Sequence, residues 1–209
     1  WDEGAANDDW PYVLFDWDTH FAAYMLSLDA KALSYSVLIQ VVKAKTAKGF
    51  VPNGAAPTRK STHSQPPVGS KVLLELYRRY GDAWLVRLLF DDLLDWSNWW
   101  LTNRKLAPLN LTALGGDDMQ AARYESGLDN SPMYDGEFFA VTQPDGYGLM
   151  TMYDVGMASI VAMSDESLAT LAGAIGRDSD AKMLHTRAAE ERRKIEAHLW
   201  DADLSIYSN

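Results

Sequence analysis

Apolar side chains recur along this chain at three- and four-residue steps, the spacing of a helix with one buried face. Between Thr19 and about Lys48 the pattern runs through Phe21, Met25 and Leu28, then through Leu33, Val37, Gln40 and Val41. A break near Asp29 divides it into two helices, and Gly49 stops the second. The period predicts helix again from about Val68 to Tyr80. After Gly81 and an N-capping Asp82 it predicts another to about Arg104, with Val86, Leu89, Leu93, Trp96 and Trp100 as the buried stripe. It returns from about Tyr153 to Ile175 and from Ser179 to Trp200, with Gly176 between them. In the last of these Glu190, Glu191, Arg192, Arg193 and Lys194 read as a solvated face. No run alternates with the two-residue period of a strand, so the expected class is all-α, about six helices in three antiparallel pairs.

Two long irregular stretches separate the pairs. Residues 50 to 67 hold Pro52, Pro57, Pro66 and Pro67 with Gly54, which excludes a regular element. Residues 106 to 148 are rich in Gly, Asp, Asn and Pro. Loops of this length in a compact domain often line a site. Three helical pairs do not close a core, and the pattern breaks off at Leu204 to Asn209, so the expectation is one truncated domain over residues 1–209.

Composition narrows the chemistry. The 209 residues are 47% hydrophobic and 23% charged, ordinary values for a folded domain. Nineteen basic against 29 acidic residues give a formal charge of −10, which excludes a partner held through phosphates and so argues against nucleic acid. Cysteine is absent, which removes disulfides, a thiolate nucleophile and a cysteine-bound metal. No apolar run approaches the roughly 20 residues of a membrane span. His20, His63, His185 and His198 have no metal-ligand spacing, and neither a Gly-x-Ser-x-Gly elbow nor a phosphate-cradling glycine loop occurs. No metal or cofactor is implied. Trp1, Trp10, Trp17, Trp84, Trp96, Trp99, Trp100 and Trp200 make eight tryptophans, which suit either a core or the C–H faces of sugar rings.

Polar and aromatic residues concentrate in three places. Phe15-Asp16-Trp17-Asp18-Thr19-His20-Phe21 opens the first helix, with Asp18 or Thr19 placed to cap it. Gly49-Phe50-Val51-Pro52-Asn53 and His63-Ser64-Gln65-Pro66-Pro67 share the next loop, where Asn53 and Gln65 offer both donors and acceptors to sugar hydroxyls or to turns. The third is Arg123-Tyr124-Glu125-Ser126-Gly127-Leu128-Asp129-Asn130-Ser131-Pro132-Met133-Tyr134-Asp135. A carboxyl among other carboxylates in an aromatic pocket has its pKa raised, as a general acid requires, although a polar turn also explains the run. Asp91-Asp92-Leu93-Leu94-Asp95 has the aspartate spacing of the magnesium-binding helical isoprenoid synthases. Ala121 stands where the second motif of those enzymes needs a hydroxyl, so the stretch reads more simply as the polar face opposite Leu89, Leu93 and Trp96.

Taken in order, these three motifs resemble glycoside hydrolase family 63, which includes processing α-glucosidase and the mannosylglycerate and glucosylglycerate hydrolases. Trehalases share a similar Glu-Ser-Gly-x-Asp segment. Asn130-Ser131-Pro132-Met133 and Tyr153-Asp154-Val155-Gly156-Met157 favour family 63, and Asn130 favours its bacterial-like branch over a role in the endoplasmic reticulum. The resemblance implies an (α/α)6 barrel, twelve helices in two rings, of which this chain supplies about the first half. It implies an inverting hydrolase of α-linked glucosides with Asp129 as general acid, and a sugar subsite drawn from Trp17, Asp18, Phe21, Asn53, Gln65, Arg123, Glu125 and Gly127. Asp154 and Trp96 are weaker candidates. The general base is implied to be a glutamate in the other half of the barrel. The alternative is a sugar-binding or scaffold protein derived from the same barrel.

A chain holding only one of two carboxyls is expected to be inactive by itself. In a hydrolase assay on the 209-residue chain, turnover above that of its Asp129→Asn variant would overturn this expectation.

Overall fold

A computed structural model describes residues 12–136, 139–144 and 146–209, leaving Trp1 and Trp10 outside the described residues. Six helices stand where the period places them: α1 (Asp16–Leu26), α2 (Lys31–Lys43), α3 (Gly69–Tyr80), α4 (Ala83–Asn103) and, after a short α5 (Met119–Glu125), α6 (Val155–Ala174) and α7 (Asp178–His198). Helices α1, α3 and α6 pack side by side in one layer, with α2 on α1, α4 on α3 and α7 on α6 behind them. This is the two-layered hairpin arrangement of a partial α/α barrel. Its core is continuous, from Leu38, Val41 and Val42 through Leu73, Leu76, Leu89, Leu93, Trp96 and Trp100 to Leu168, Leu171 and Leu184. The stripe read on α4 is buried throughout.

Local details differ from the sequence reading. Helix α1 begins at Asp16 with Phe15 at its N-cap, so Asp18 and Thr19 lie inside the helix and cap nothing. Asp82 makes no capping bond, because its carboxylate accepts from Tyr35 Oη at 2.8 Å and pairs with Lys31 Nζ at 2.5 Å. Along α1, the turn after it and the start of α2, several residues read as core are exposed: Phe21 at 45%, Met25 and Leu28 at 68% and Leu33 at 52%. Val41 is buried as read; the buried face otherwise carries Ala23, Ser34 and Leu38, and Ser34 Oγ donates to Ala23 O at 2.7 Å where the two helices approach closely. Aspartates 91, 92 and 95 are engaged by cations, Asp91 with Arg177, Asp92 with Lys43 and Lys45, and Asp95 with Lys45.

The irregular stretches also contain strands of two to four residues, too short for alternation to register in the sequence. Strand β1 (Leu14–Phe15) pairs with β2 (Gly54–Ala55), and β3 (Lys105–Leu106) with β4 (Leu111–Thr112). Strands β5 (Gly115–Gly116), β7 (Gly148–Met150) and β6 (Phe139–Thr142) form a sheet in that order, and β8 (Trp200–Asp201) pairs with β9 (Ile206–Tyr207). These pairings fold both long connections onto the end of the helical layer where α1, α3 and α6 begin. Asp16 N–H donates to Asn53 O at 3.0 Å, and Asp154 N–H donates to Thr112 O at 2.9 Å. Among the described residues no helix is long and apolar enough to cross a membrane.

One buried polar cluster fastens the second helix layer to the first. Arg187 of α7 forms two bonds to Asp165 of α6, at 2.6 and 3.0 Å, and also donates to Asn98 of α4 at 2.7 Å. Ser97 of α4 donates to the same Asp165 carboxylate. Removing one partner of such a buried pair leaves a charge uncompensated in a poor dielectric. Because Arg187 is only half-buried, Asp165→Ala is expected to lower unfolding free energy by about 1 to 3 kcal/mol. In urea titrations this would appear as a lower midpoint with an unchanged slope; a midpoint equal to that of the parent chain would refute it.

Candidate active site

The first turn of α1, the loop from Phe50 to Pro67 and the segment after α5 meet at one end of the helices. A buried ion pair holds them there. Arg104, the residue after α4, and Glu125, the last residue of α5, are both fully buried. Arg104 Nε lies 2.6 Å from Glu125 Oε2, and its Nη2 lies 3.1 Å from Oε1. The same carboxylate accepts from Gly115 N–H at 2.8 Å and from Ser64 N–H at 3.1 Å. Burial pushes the Glu125 carboxyl up, opposed by the Arg104 guanidinium and by those two amides. Four donors on two oxygens leave Glu125 no free face toward a ligand. Enclosed in this way, it ties the end of α4, the Gly115 strand and the Ser64 loop together.

Beyond Glu125 the chain turns sharply. Ser126 Oγ accepts from Leu128 N–H at 2.9 Å, and Gly127 has φ of +73°. A methyl group on Gly127 would stand 2.5 Å from Cη2 of Trp17, so the Trp17 indole lies directly against this turn. Trp17 also stacks obliquely on Phe21, with centroids 5.9 Å apart, and its backbone N–H donates to Gln65 Oε1 at 3.1 Å. Asp129, two residues past Gly127, is half-buried. Burial pushes its carboxyl up and the neighbouring Asp18 charge adds to the rise, opposed by a backbone hydrogen bond. Trp17, Asp18, Phe21, Gln65, Gly127 and Asp129 are thus brought into one neighbourhood.

Arg123 takes another role. Its Nη2 donates to Ser131 O at 2.8 Å and to Asp135 Oδ1 at 2.7 Å, so it clamps the far side of the loop that carries Asp129. Asn53 borders the neighbourhood, with its Nδ2 donating to Tyr124 O at 3.3 Å. It also lines a cavity of about 520 Å³ with Phe15, His63, Asp117 and Tyr124. Neither Trp17 nor Asp129 lines that cavity. Burial pulls the His63 ring down to about 4, aided by Arg104 and opposed by Asp117, so it is neutral near pH 7. Asp154 serves structure: it caps α6 through Met157 N–H at 2.7 Å and accepts from Tyr134 Oη at 2.7 Å.

Sequence reasoning assigned no role to Arg104, Ser64 and Gly115, which complete the ion-pair cluster, or to the pairing of Asp16 with His20. Arg104 has no local signature, since an arginine ending a helix is ordinarily solvated. Trp96 turns out to bridge: its Nε1 donates to Ser64 Oγ at 2.9 Å while its ring stacks on His20.

Comparison with known proteins bears on this arrangement. The profile of the mannosylglycerate hydrolase MGH1-like glycoside hydrolase domain matches residues 11–209. Among solved structures, an uncharacterized conserved protein from Thermus thermophilus superposes with a TM-score of 0.75 at 19% identity, over 93% of this chain and 59% of that one. The GH63 mannosylglycerate hydrolase from the same organism, solved in complex with glucose, superposes with a TM-score of 0.74 at 20% identity over the same shares. At such identities the likeness shows the fold. The chain spans 59% of the length of each. No curated protein matches it.

The Gly127 turn is open to a direct test. An alanine there is strained at positive φ and collides with Trp17, so Gly127→Ala is expected to destabilise by more than the ~1 kcal/mol of backbone strain alone. In a Trp17→Ala background the collision vanishes and only the strain remains. Equal losses in the two backgrounds, measured by urea unfolding, would show that the indole does not rest on the glycine.

Proposed function

The chain belongs to the mannosylglycerate hydrolase MGH1-like glycoside hydrolase family, and from that premise we propose that it supplies the acid half of an inverting glycosidase acting on an α-linked glucoside. The observation that carries the reading is the setting of Asp129. Its carboxyl is half-buried on a turn pinned by Glu125 and Gly127, beside Trp17 and Asp18, with its proton affinity raised by burial. A carboxyl made harder to ionise is better suited to hand its proton to a leaving group.

In this reading Asp129 gives its proton to the glycosidic oxygen as the bond to the anomeric carbon breaks. A water on the opposite face of the sugar attacks that carbon, and a second carboxylate takes the proton of the water, the two carboxyls standing roughly 6.5 to 9.5 Å apart. The base is a glutamate contributed by the remainder of an (α/α)6 domain of which residues 1–209 form the first part. Trp17 and Phe21 give the sugar an apolar face, and Asp18, Gln65 and Asn53 offer polar groups at its edge. The bound glucose of the Thermus hydrolase supports a glucose-sized ring as the group recognised.

In the full-length protein Asp129→Asn is expected to lower kcat by about 10² to 10⁴. The alkaline limb of the kcat/KM profile reports loss of the Asp129 proton. Replacing Asp18 by Asn removes a negative charge that favours the protonated form, so the limb should move to lower pH. Full activity in Asp129→Asn, measured on 4-nitrophenyl α-D-glucoside and on α-glucosylglycerate, would sink the assignment. Sugar binding without hydrolysis by the wild-type protein would favour the binding-protein alternative.

A further inference from the structure

The polar pair at the root of α1 takes no part in the proposed chemistry, yet three helices converge on it. Asp16 and His20 are both fully buried, one helical turn apart. His20 Nδ1 stands 2.8 Å from Asp16 Oδ1 and 3.0 Å from the Asp16 carbonyl oxygen. The other face of the imidazole is walled in. It stacks on Trp96 of α4 with centroids 5.9 Å apart and an interplanar angle of 22°. Its Nε2 abuts the start of α3 so closely that a methyl group on Gly69 would come within 2.6 Å. Trp17 and Asp18 lie between the two members of the pair in the chain. A buried carboxylate with a single cationic or hydrogen-bonding neighbour is expensive to leave alone, so the pair resists any rotation of this turn.

We propose that His20 is a positioning residue for the sugar subsite: wedged between Gly69 and Trp96, it holds Asp16 and thereby fixes the turn that presents Trp17 and Asp18. The inference rests on the reading of Trp17 and Asp18 as sugar-contacting residues. It adds that their placement is set from below, by α3 and α4, as well as by Gly127 and Gln65. Trp96 carries the connection further, because the side chain that stacks on His20 also donates to Ser64, whose amide is bound by Glu125. Asp18 is the nearby carboxylate whose charge acts on Asp16, while α3 presents Gly69 and α4 presents Trp96, neither of them titratable.

The test uses the full-length protein with His20→Phe, which keeps a ring against Trp96 and removes the partner of Asp16. His20→Asn is the conservative variant, since its amide can donate near the Nδ1 position. In His20→Phe, amide hydrogen exchange in the first turn of α1 is expected to accelerate at least about tenfold while α7 exchanges as in wild type. KM for 4-nitrophenyl α-D-glucoside and the dissociation constant for glucose should rise by about tenfold with kcat nearly unchanged, the signature of lost substrate positioning. His20→Asn should recover most of both. If His20→Phe does not fold, Asp16→Asn/His20→Phe removes the lone buried charge and is read in the same way. Wild-type exchange in the first turn, or an unchanged KM and glucose affinity despite faster exchange, overturns the inference. A wild-type protein that neither binds glucose nor cleaves the glycoside fails the proposed function instead, and the exchange measurement still decides whether His20 holds the turn.

Discussion

The end of the molecule that carries the candidate site is organised by a single buried carboxylate. Glu125 gathers Arg104 from the end of α4, Gly115 from a short strand and Ser64 from the proline-rich loop, all within 3.1 Å. Of these segments, the one that carries Ser64 has no regular structure of its own to fix it there. A carboxylate placed where water cannot reach demands that every lone pair be met, and each donor that meets one brings its loop along. The ion pair works by geometry more than by net stabilisation, since desolvating two charges costs about as much as their attraction returns. What it secures is that three loops distant in sequence take one arrangement.

From that anchor the order propagates outward through contacts that differ in kind. The turn after Glu125 is shaped by the positive φ of Gly127 and the indole above it, and the loop beyond is clamped by Arg123 on Ser131 and Asp135. On the other side Ser64 passes the constraint to Trp96 and so to the root of α1. Asp129 is reached by neither hydrogen-bond chain directly. It sits where the two meet, half-open, with a neighbouring negative charge that hinders ionisation.

The helices are readable because their spacing is a local property. Leu89, Leu93, Trp96 and Trp100 announce a buried face whatever they pack against. Periodicity misleads on α1 and the turn after it, where Phe21, Met25 and Leu28 recur correctly but are exposed in this chain, while the close contact with α2 is made by Ala23 and Ser34. Small and hydroxyl-bearing residues give no hydrophobic signal even when they line the tightest contact. The site is legible as motifs and not as roles. Glu125 looks like a ligand because it neighbours Asp129, yet a carboxylate that meets a ligand and one that holds a loop are the same letter until Arg104 is seen beside it. Arg104 itself lies 21 positions away, beyond the range of any local pattern.

The bonds that build the site span much longer stretches of chain than those that build the helices. Trp17 and Gln65 are 48 residues apart, Ser64 and Glu125 are 61 apart, and Asn53 and Tyr124 are 71 apart. Helical hairpins close short loops and form quickly, whereas contacts of this range must wait for the chain between them to be ordered. Helical content by itself therefore does not report that the loops at the end of the bundle have found one another. A molecule with its helices formed and those long-range contacts unmade would look native by its helix signal and have no pocket.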